Sequence, residues 1–297
     1  MDLGEIISTL QERAETAFDA DLFIAVLAAQ VCRQHVLVTV DEAEQVAETE
    51  RALAQIGAAV FGLQPLAVQC SATMTTAELT AALTTAPDGP ATLAVLRDVG
   101  TASDYVQAQL LDILRTRAGP VLAVPVVVRT RLRPQLFAYL VDHMFISHHY
   151  DAKDAPAAPT APPKTVALFP RRDVDRLGAL LASIHISTEV RRYMQDIMVF
   201  LRMHRVVRGG VSSRATRDFE LAVRCLSLLN GLAFATPSVV AVAARKVYAH
   251  RVVVVTDPSD DRSVLWGSDL DAVRAFLDQW DTELVLDDVL ASVPAPL

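Results

Sequence analysis

Lysine is almost missing from this 297-residue chain. Of its 27 basic residues only Lys153, Lys164 and Lys246 are lysines, and residues 1–152 hold none. Any chemistry in that half that needs an ammonium group is therefore excluded. Glycine is scarce too, at 11 positions, which rules out a collagen-like fibre, and the chain is too apolar for disorder. The three cysteines, Cys32, Cys70 and Cys225, are far apart, odd in number and set in apolar stretches. They exclude a disulfide scaffold and read as buried, reduced thiols in an intracellular compartment, cytoplasm or nucleus. No charge-free apolar run reaches about 18 residues, so no membrane-spanning helix is expected. The start, Met1-Asp2-Leu3-Gly4-Glu5, lacks a signal peptide's basic and apolar regions.

What is present is a hydrophobic content of 52% and a net charge of −8 that hides a strong segregation. Residues 1–152 carry 9 Arg against 18 acids, residues 165–256 carry 14 basic residues against 6 acids, and residues 257–297 carry 2 Arg against 10 acids. A basic segment thus lies between two acidic ones. Either the parts dock on one another, or the basic segment meets an external acidic partner.

Residues 151–164, DAKDAPAAPTAPPK, form a Pro/Ala-rich linker that resists helix and sheet. It separates an α/β core (1–150) from a helical region (165–256) and an acidic C-terminal segment (257–297). In the core, strand-like runs at 35–40, 66–70, 92–96 and 121–128 alternate with helix-like runs at 22–33, 44–57, 75–84 and 104–117. That alternation implies a parallel sheet with flanking helices. Beyond the linker, Ser187 opens a helix to about Arg205, Ser212 and Ser213 cap a helix that stops at Asn230-Gly231, and Thr236-Pro237 opens a third.

Several strings in this second half are similar to motifs of the MoxR and magnesium-chelatase subunit I branch of the AAA+ ATPases. Val190-Arg-Arg-Tyr-Met-Gln-Asp-Ile resembles that family's V-x-x-Y-I-x-D-L helix, and Gly210-Val-Ser-Ser-Arg-Ala215 its G-x-S-P-R-A, with Ser213 replacing proline. Leu229-Asn-Gly231, Thr236-Pro237 and His250-Arg251 follow in the family's order. The resemblance implies an AAA+-like core followed by a helical lid. It places Arg214 at the sensor-2 position, which in active relatives reaches the γ-phosphate; the alternative is that Arg214 pairs with a carboxylate of the acidic core, such as one in the Asp41–Glu44 loop.

The family's chemistry is lost from the core. Where relatives carry G-x-x-x-x-G-K-[ST], this chain reads Val40-Asp-Glu-Ala-Glu-Gln-Val-Ala47. Val40 and Gln45 replace the glycines that let backbone N–H groups approach phosphate, Val46 the lysine and Ala47 the magnesium-binding hydroxyl. Asp41, Glu42 and Glu44 add carboxylates; a like charge at 4 Å costs about 4 kcal/mol at an effective dielectric of about 20. At the Walker B strand end the Asp-Glu pair becomes Arg97-Asp98, and an arginine cannot bind Mg²⁺. Asp142-His143 stands near the family's arginine-finger motif, with Arg129, Arg131 and Arg133 as a conceivable substitute.

His143, His148 and His149 lack metal-ligand spacing and read as surface histidines, so no metal site is expected. The arginines of the first lid helix (Arg191, Arg192, Arg202, Arg205, Arg208) could bind nucleic acid; without interleaved aromatics and in an acidic chain, a solvated or domain-docking face is expected. Residues 278–288 read as an amphipathic partner-binding segment or a closing helix. The expected function is a catalytically inactive AAA+-like scaffold or assembly subunit with protein partners, no resident cofactor, and a monomeric or low-order state. The alternative is a divergent ATPase subunit of magnesium-chelatase or MoxR-chaperone type, which would use ATP and Mg²⁺.

Overall fold

The computed structural model describes residues 8–12, 18–84, 91–116, 121–129, 136–151 and 167–296. Residues 152–166, which hold nearly all of the expected linker, lie outside them, as do Arg131 and Arg133.

Five parallel strands form the central sheet in the order β2-β3-β4-β1-β5: β1 (Val36–Val40), β2 (Gln64–Gln69), β3 (Thr92–Arg97), β4 (Val121–Val128) and β5 (Ile146–His149). β1 is locked on both sides, with Val38 opposite Val126 of β4 and Val36 opposite Ile146 of β5. Because side chains alternate across a strand, apolar runs feed two cores. Val36, Val38, Leu93, Val95, Val124 and Val126 face one, whereas Leu37, Ala94, Leu96 and Ala123 face the other.

On the first face lie α1 (Ala20–Cys32) and α2 (Val46–Gln55), and the helical second half continues that same core. The other face is covered by α3 (Thr76–Thr84), α4 (Asp104–Thr116) and the short α5 (Ala138–His143). α3 opens on a capping box: Thr75 N–H donates to the Glu78 carboxylate at 2.8 Å and Glu78 N–H to Thr75 Oγ1 at 3.3 Å. After α2 the chain makes wider turns over Ile56–Phe61. There a Cβ on Gly57 would stand 2.6 Å from Leu93 Cδ2, so glycine lets this segment lie against β3.

The second half holds α6 (Arg171–Leu180), α7 (Thr188–Met203), α8 (Ser213–Leu229) and α9 (Pro237–Tyr248), with a small antiparallel pair β6 (Val207–Gly209) and β7 (Val253–Val254). Its helix starts follow the sequence cues. Ser187 accepts from Val190 N–H, Ser212 from Ala215 N–H, and Thr236 from Val239 N–H with Pro237 in the first turn.

Helices α10 (Leu270–Leu277) and α11 (Thr282–Ser292) close the bundle, α11 burying Val285, Leu286 and Val289 against α7 and α9. The 278–288 segment is thus a closing helix. Charge segregation is resolved internally: Arg205 pairs with Asp261, Arg208 with Asp260, Arg245 with Asp287, and His204 with Asp288. The lid arginines therefore include several committed to docking.

Five elements lack a sequence signal of their own: α5, β5, α6, β6 and α10. The expected helix from Glu44 begins only at Val46. Two of the expected surface histidines are buried instead. His143 is turned toward His35, with ring centroids 5.6 Å apart, and His148 alternates inward on β5 near Lys246. Polar character misled there, because β5 is covered by α9. Among the described residues no helix is long and apolar enough to cross a membrane, and no cluster of His, Cys, Asp or Glu could hold a metal.

Candidate functional site

In an open parallel sheet, ligands bind beyond the carboxyl ends of the strands where the connections diverge. Here β1 leads away toward β2 while β4 leads across β1 to β5, so the divergence lies between the ends of β1 and β4. The loop Asp41–Gln45 occupies that place. It is closed from within. Gln45 is buried, and its side-chain oxygen accepts from the backbone N–H groups of Asp41 at 3.1 Å and Glu42 at 3.2 Å. The Glu42 carboxylate returns the bond to the Gln45 backbone, a capping box on the turn Ala43–Gln45 that leads into α2. Two N–H groups that an anion would otherwise use are already satisfied.

The flanking positions are also committed. Val40 and Val46 are buried in the apolar core, and Ala47 is exposed. Arg97 lies 3.2 Å from Glu50 of α2, and both are largely buried. Asp98 has φ +51°, a left-handed conformation uncommon outside glycine. Gln69 Nε2 holds its carboxylate at 2.6 Å. Asp41 faces His149 Nε2 at 3.6 Å, and Arg129, at the end of β4, pairs with Glu283 of α11 at 2.8 Å.

Arg214 is not at this loop. Its guanidinium donates to Gln34 Oε1 at 3.1 Å and lies 3.6 Å from Asp218 on its own helix. Gln34 precedes β1, whereas Val40 ends it. At about 3.3 Å per residue, the six steps between them separate Arg214's anchor from the loop by about 20 Å. The expected pairing with the Asp41–Glu44 loop is therefore corrected: the partners are Gln34 and Asp218. Within one chain Arg214 cannot reach a phosphate at Val40–Ala47. The cause is where the lid docks, at the amino ends of β1 and β5 rather than over the loop.

That docking point is a second, buried polar cluster. Arg251, with a side chain only 1% exposed, donates to Asp218 at 2.5 Å and to the carbonyls of Met144 at 2.6 Å and Asp142 at 3.1 Å. Ser212 Oγ donates to the Asp142 carboxylate at 2.6 Å while capping α8. His250 Nε2 lies 3.0 Å from the Met144 carbonyl.

Gly210 has φ +102°, and a Cβ there would meet the Arg251 carbonyl oxygen at 2.0 Å, so the motif glycine is required by close approach. Burial pushes His35 down to about 4 and His143 and His250 to about 3, with the positive charge of Arg214 or Arg251 adding in the same direction. His35 Nδ1 accepts from Ala123 N–H at 3.2 Å, as a neutral ring does. Burial raises the Asp218 carboxyl against the two arginines that lower it.

The cluster collects motif residues that the sequence spreads over more than a hundred positions: Asp142 and His143 from the core, and Ser212, Arg214, His250 and Arg251 from the lid. Their role here is to fasten lid to core. Asp218 and Gln34 carried no sequence signal; only the fold brings them in.

Comparison with known proteins agrees with this architecture. The AAA lid domain family matches residues 199–269. The crystal structure of a candidate ATPase from Cytophaga hutchinsonii superposes with a TM-score of 0.69 at 11% identity, covering 99% of this chain and 95% of that one. Among curated proteins, Maintenance of telomere capping protein 2 of Kluyveromyces lactis is 30% identical over 108 residues, 35% of this chain and 39% of that protein. Its Saccharomyces cerevisiae (strain YJM789) namesake is 36% identical over 105 residues, 34% of this chain and 29% of that protein. The chain thus matches well under half the length of these relatives. It has an AAA+-like fold, a five-stranded parallel α/β core followed by a helical region that contains an AAA lid domain.

Proposed function

We propose that this chain is a catalytically inactive AAA+-like scaffold or assembly subunit that works through protein contacts. The observation that carries the reading is the loop at the end of β1, whose N–H groups are capped by Gln45 and which is ringed by Asp41, Glu42 and Glu44. Arg97, tied to Glu50, offers no ligand for Mg²⁺. The residues present do not fit a triphosphate or its metal, so no resident cofactor is assigned and no hydrolytic step is derived. The likeness to proteins named for maintenance of telomere capping supports work inside the cell, in the nucleus, within an assembly of that kind.

Without nucleotide to bridge subunits, a monomer or low-order oligomer is expected. Direct nucleic-acid binding is disfavoured by the net charge and by the internal pairing of the lid arginines. Equilibrium binding of labelled ATP with Mg²⁺ tests the reading: no saturable binding is expected up to about 1 mM, and micromolar affinity with turnover overturns it.

A second reading, a divergent ATPase subunit of the MoxR or magnesium-chelatase type, draws on the lid motif Gly210–Ala215 and its arginine. With Arg214 about 20 Å from its own loop, that arginine would have to serve a nucleotide held by another subunit. Replacing Arg214 would then lower an ATP-dependent activity of the assembly without unfolding this chain.

A further inference from the structure

Two of the chain's three cysteines meet across the seam between core and lid. Cys32 ends α1 and Cys225 lies within α8, yet their thiols are in hydrogen-bonding contact. Cys225 Sγ also stands 4.0 Å from the carbonyl oxygen of Ala28, one turn earlier on α1. Neither sulfur is in a disulfide, and both residues are buried, Cys225 completely and Cys32 at 8% exposure. Cys70 is buried as well, but in the core on the opposite face of the sheet, away from both.

The contact belongs to one face of α8. Arg214, Asp218 and Cys225 follow at spacings of four and seven residues, which an α-helix brings to the same side. Arg214 bonds Gln34 and Asp218 bonds Arg251, so the thiols share the seam that the buried ion pairs fasten. A lone buried cysteine behaves as a small hydrophobe. Two that touch, one from the core and one from the lid, have a partner for covalent chemistry within reach. Acidity does not single them out. Burial, then Cys225 and the Asp218 carboxylate, hold the Cys32 thiol well above its ordinary range, and burial likewise raises Cys70 to about 11. The distinction is proximity, which makes the second step of a disulfide-forming reaction intramolecular.

We propose that Cys32 and Cys225 are a redox pair: hydrogen peroxide oxidises them to a disulfide that ties the lid to the core, and a dithiol releases it. Cys32, the sulfur with exposed surface, reacts first. It attacks one peroxide oxygen, the O–O bond breaks, and hydroxide leaves with the thiol proton as water; a sulfenic acid remains. The Cys225 sulfur then attacks the Cys32 sulfur. The S–S bond forms, the S–O bond breaks, and the hydroxyl leaves with the Cys225 proton as a second water. Two thiols are oxidised and one peroxide is reduced to two waters. The link closes a long loop and so constrains the unfolded chain, and the lid cannot leave the core while it holds. It depends on the docking of lid on core and not on the loop at β1.

Peroxide treatment of the full chain, alkylation in urea without reduction, and mass spectrometry of the digest test this. The expected product is a Cys32–Cys225 cross-linked peptide from chains that keep the 32.2 kDa mass on a non-reducing gel, with Cys70 alkylated. The urea midpoint should rise on oxidation and return with dithiothreitol. Cys225→Ala should give no cross-link, leave on Cys32 a sulfenic acid that dimedone captures, and show no rise in midpoint. Cys225→Ser takes its place if circular dichroism shows the alanine variant unfolded.

Three results overturn the proposal. Cys32 and Cys225 could stay unlinked after peroxide has oxidised Met203, whose 70% exposure makes it an internal marker of dose. The cross-links could join separate chains. The Cys32–Cys225 link could form and leave the urea midpoint unchanged or lower, which would mean that it does not fit the docked lid.

Discussion

Replacing Arg251 by methionine keeps the stem's volume and removes the buried guanidinium. The structure sets the scale of the loss. The side chain is 1% exposed and bonds one carboxylate and two carbonyls at 3.1 Å or less. Its removal leaves Asp218, itself 8% exposed by side chain, with only Arg214 at 3.6 Å. Breaking a buried pair from one side costs about 3–5 kcal/mol, chiefly for the charge left behind, against about 0–1 kcal/mol for an exposed pair. Urea denaturation at pH 7, comparing the variant with the wild type, should therefore show a loss in the upper range.

Two further results are required. Arg251→Met combined with Asp218→Leu should recover part of the loss, because the most deeply buried carboxylate goes with its partner and only the more exposed Arg214 and Asp142 lose an ion pair. The deficit of the single variant should also shrink as pH falls. Without Arg251 the folded pKa of Asp218 stands above its unfolded value, so the native state takes up a proton that relieves it. A loss near 1 kcal/mol, or no recovery in the double variant, would refute the claim that this pair is buried and fastens lid to core.

Acid should loosen the wild type in a defined window. His35 titrates at about 4, and His143, His148 and His250 at about 3 in the fold. All are below the ordinary 6.5, so the unfolded chain binds the extra protons; stability is full above about pH 6.5 and is lost as pH falls below it. Each contributes about 1.4 kcal/mol per pH unit, read as a falling urea midpoint between pH 7 and 5.5; a flat midpoint contradicts their burial. Gly210→Ala should cost about 1–2 kcal/mol for the left-handed backbone alone and more for its clash with the Arg251 carbonyl, seen in thermal melts. Ser212→Ala removes a helix cap and the bond to Asp142, for a loss of about 1–2 kcal/mol by the same measurement; a neutral result would show that α8 is capped otherwise.

Legibility in the sequence followed the range of the interaction. Helix starts at Ser187, Ser212 and Thr236 are readable because a cap is a matter of four consecutive residues. The sheet was readable from four apolar runs, but β5 was not, since Ile146–His149 ends in two histidines and gains its strand character only by pairing with β1. The loop Val40–Ala47 could be judged from residue types alone, whereas its closure by Gln45 depends on a rotamer. Arg214 illustrates the limit most directly. Its identity was recoverable from a local motif, but its partner Gln34 lies 180 positions away, and no local pattern specifies the end of the sheet on which a lid settles.

The position of β1 has a mechanical consequence. Its amino end is gripped by the lid through Gln34, and its carboxyl end carries the loop. Ladder bonds on both flanks pin it like a rail bolted to two sleepers. A slip of one residue would exchange the faces of Val36, Leu37 and Val38 between two filled cores, so the strand cannot slide to carry a signal lengthwise. Force applied at the lid's grip on Gln34 reaches the loop by displacing the sheet as a whole, and the Arg129–Glu283 pair holds α11 to the same sheet beside the loop. Lid and loop are thus two fixtures on one stiff frame.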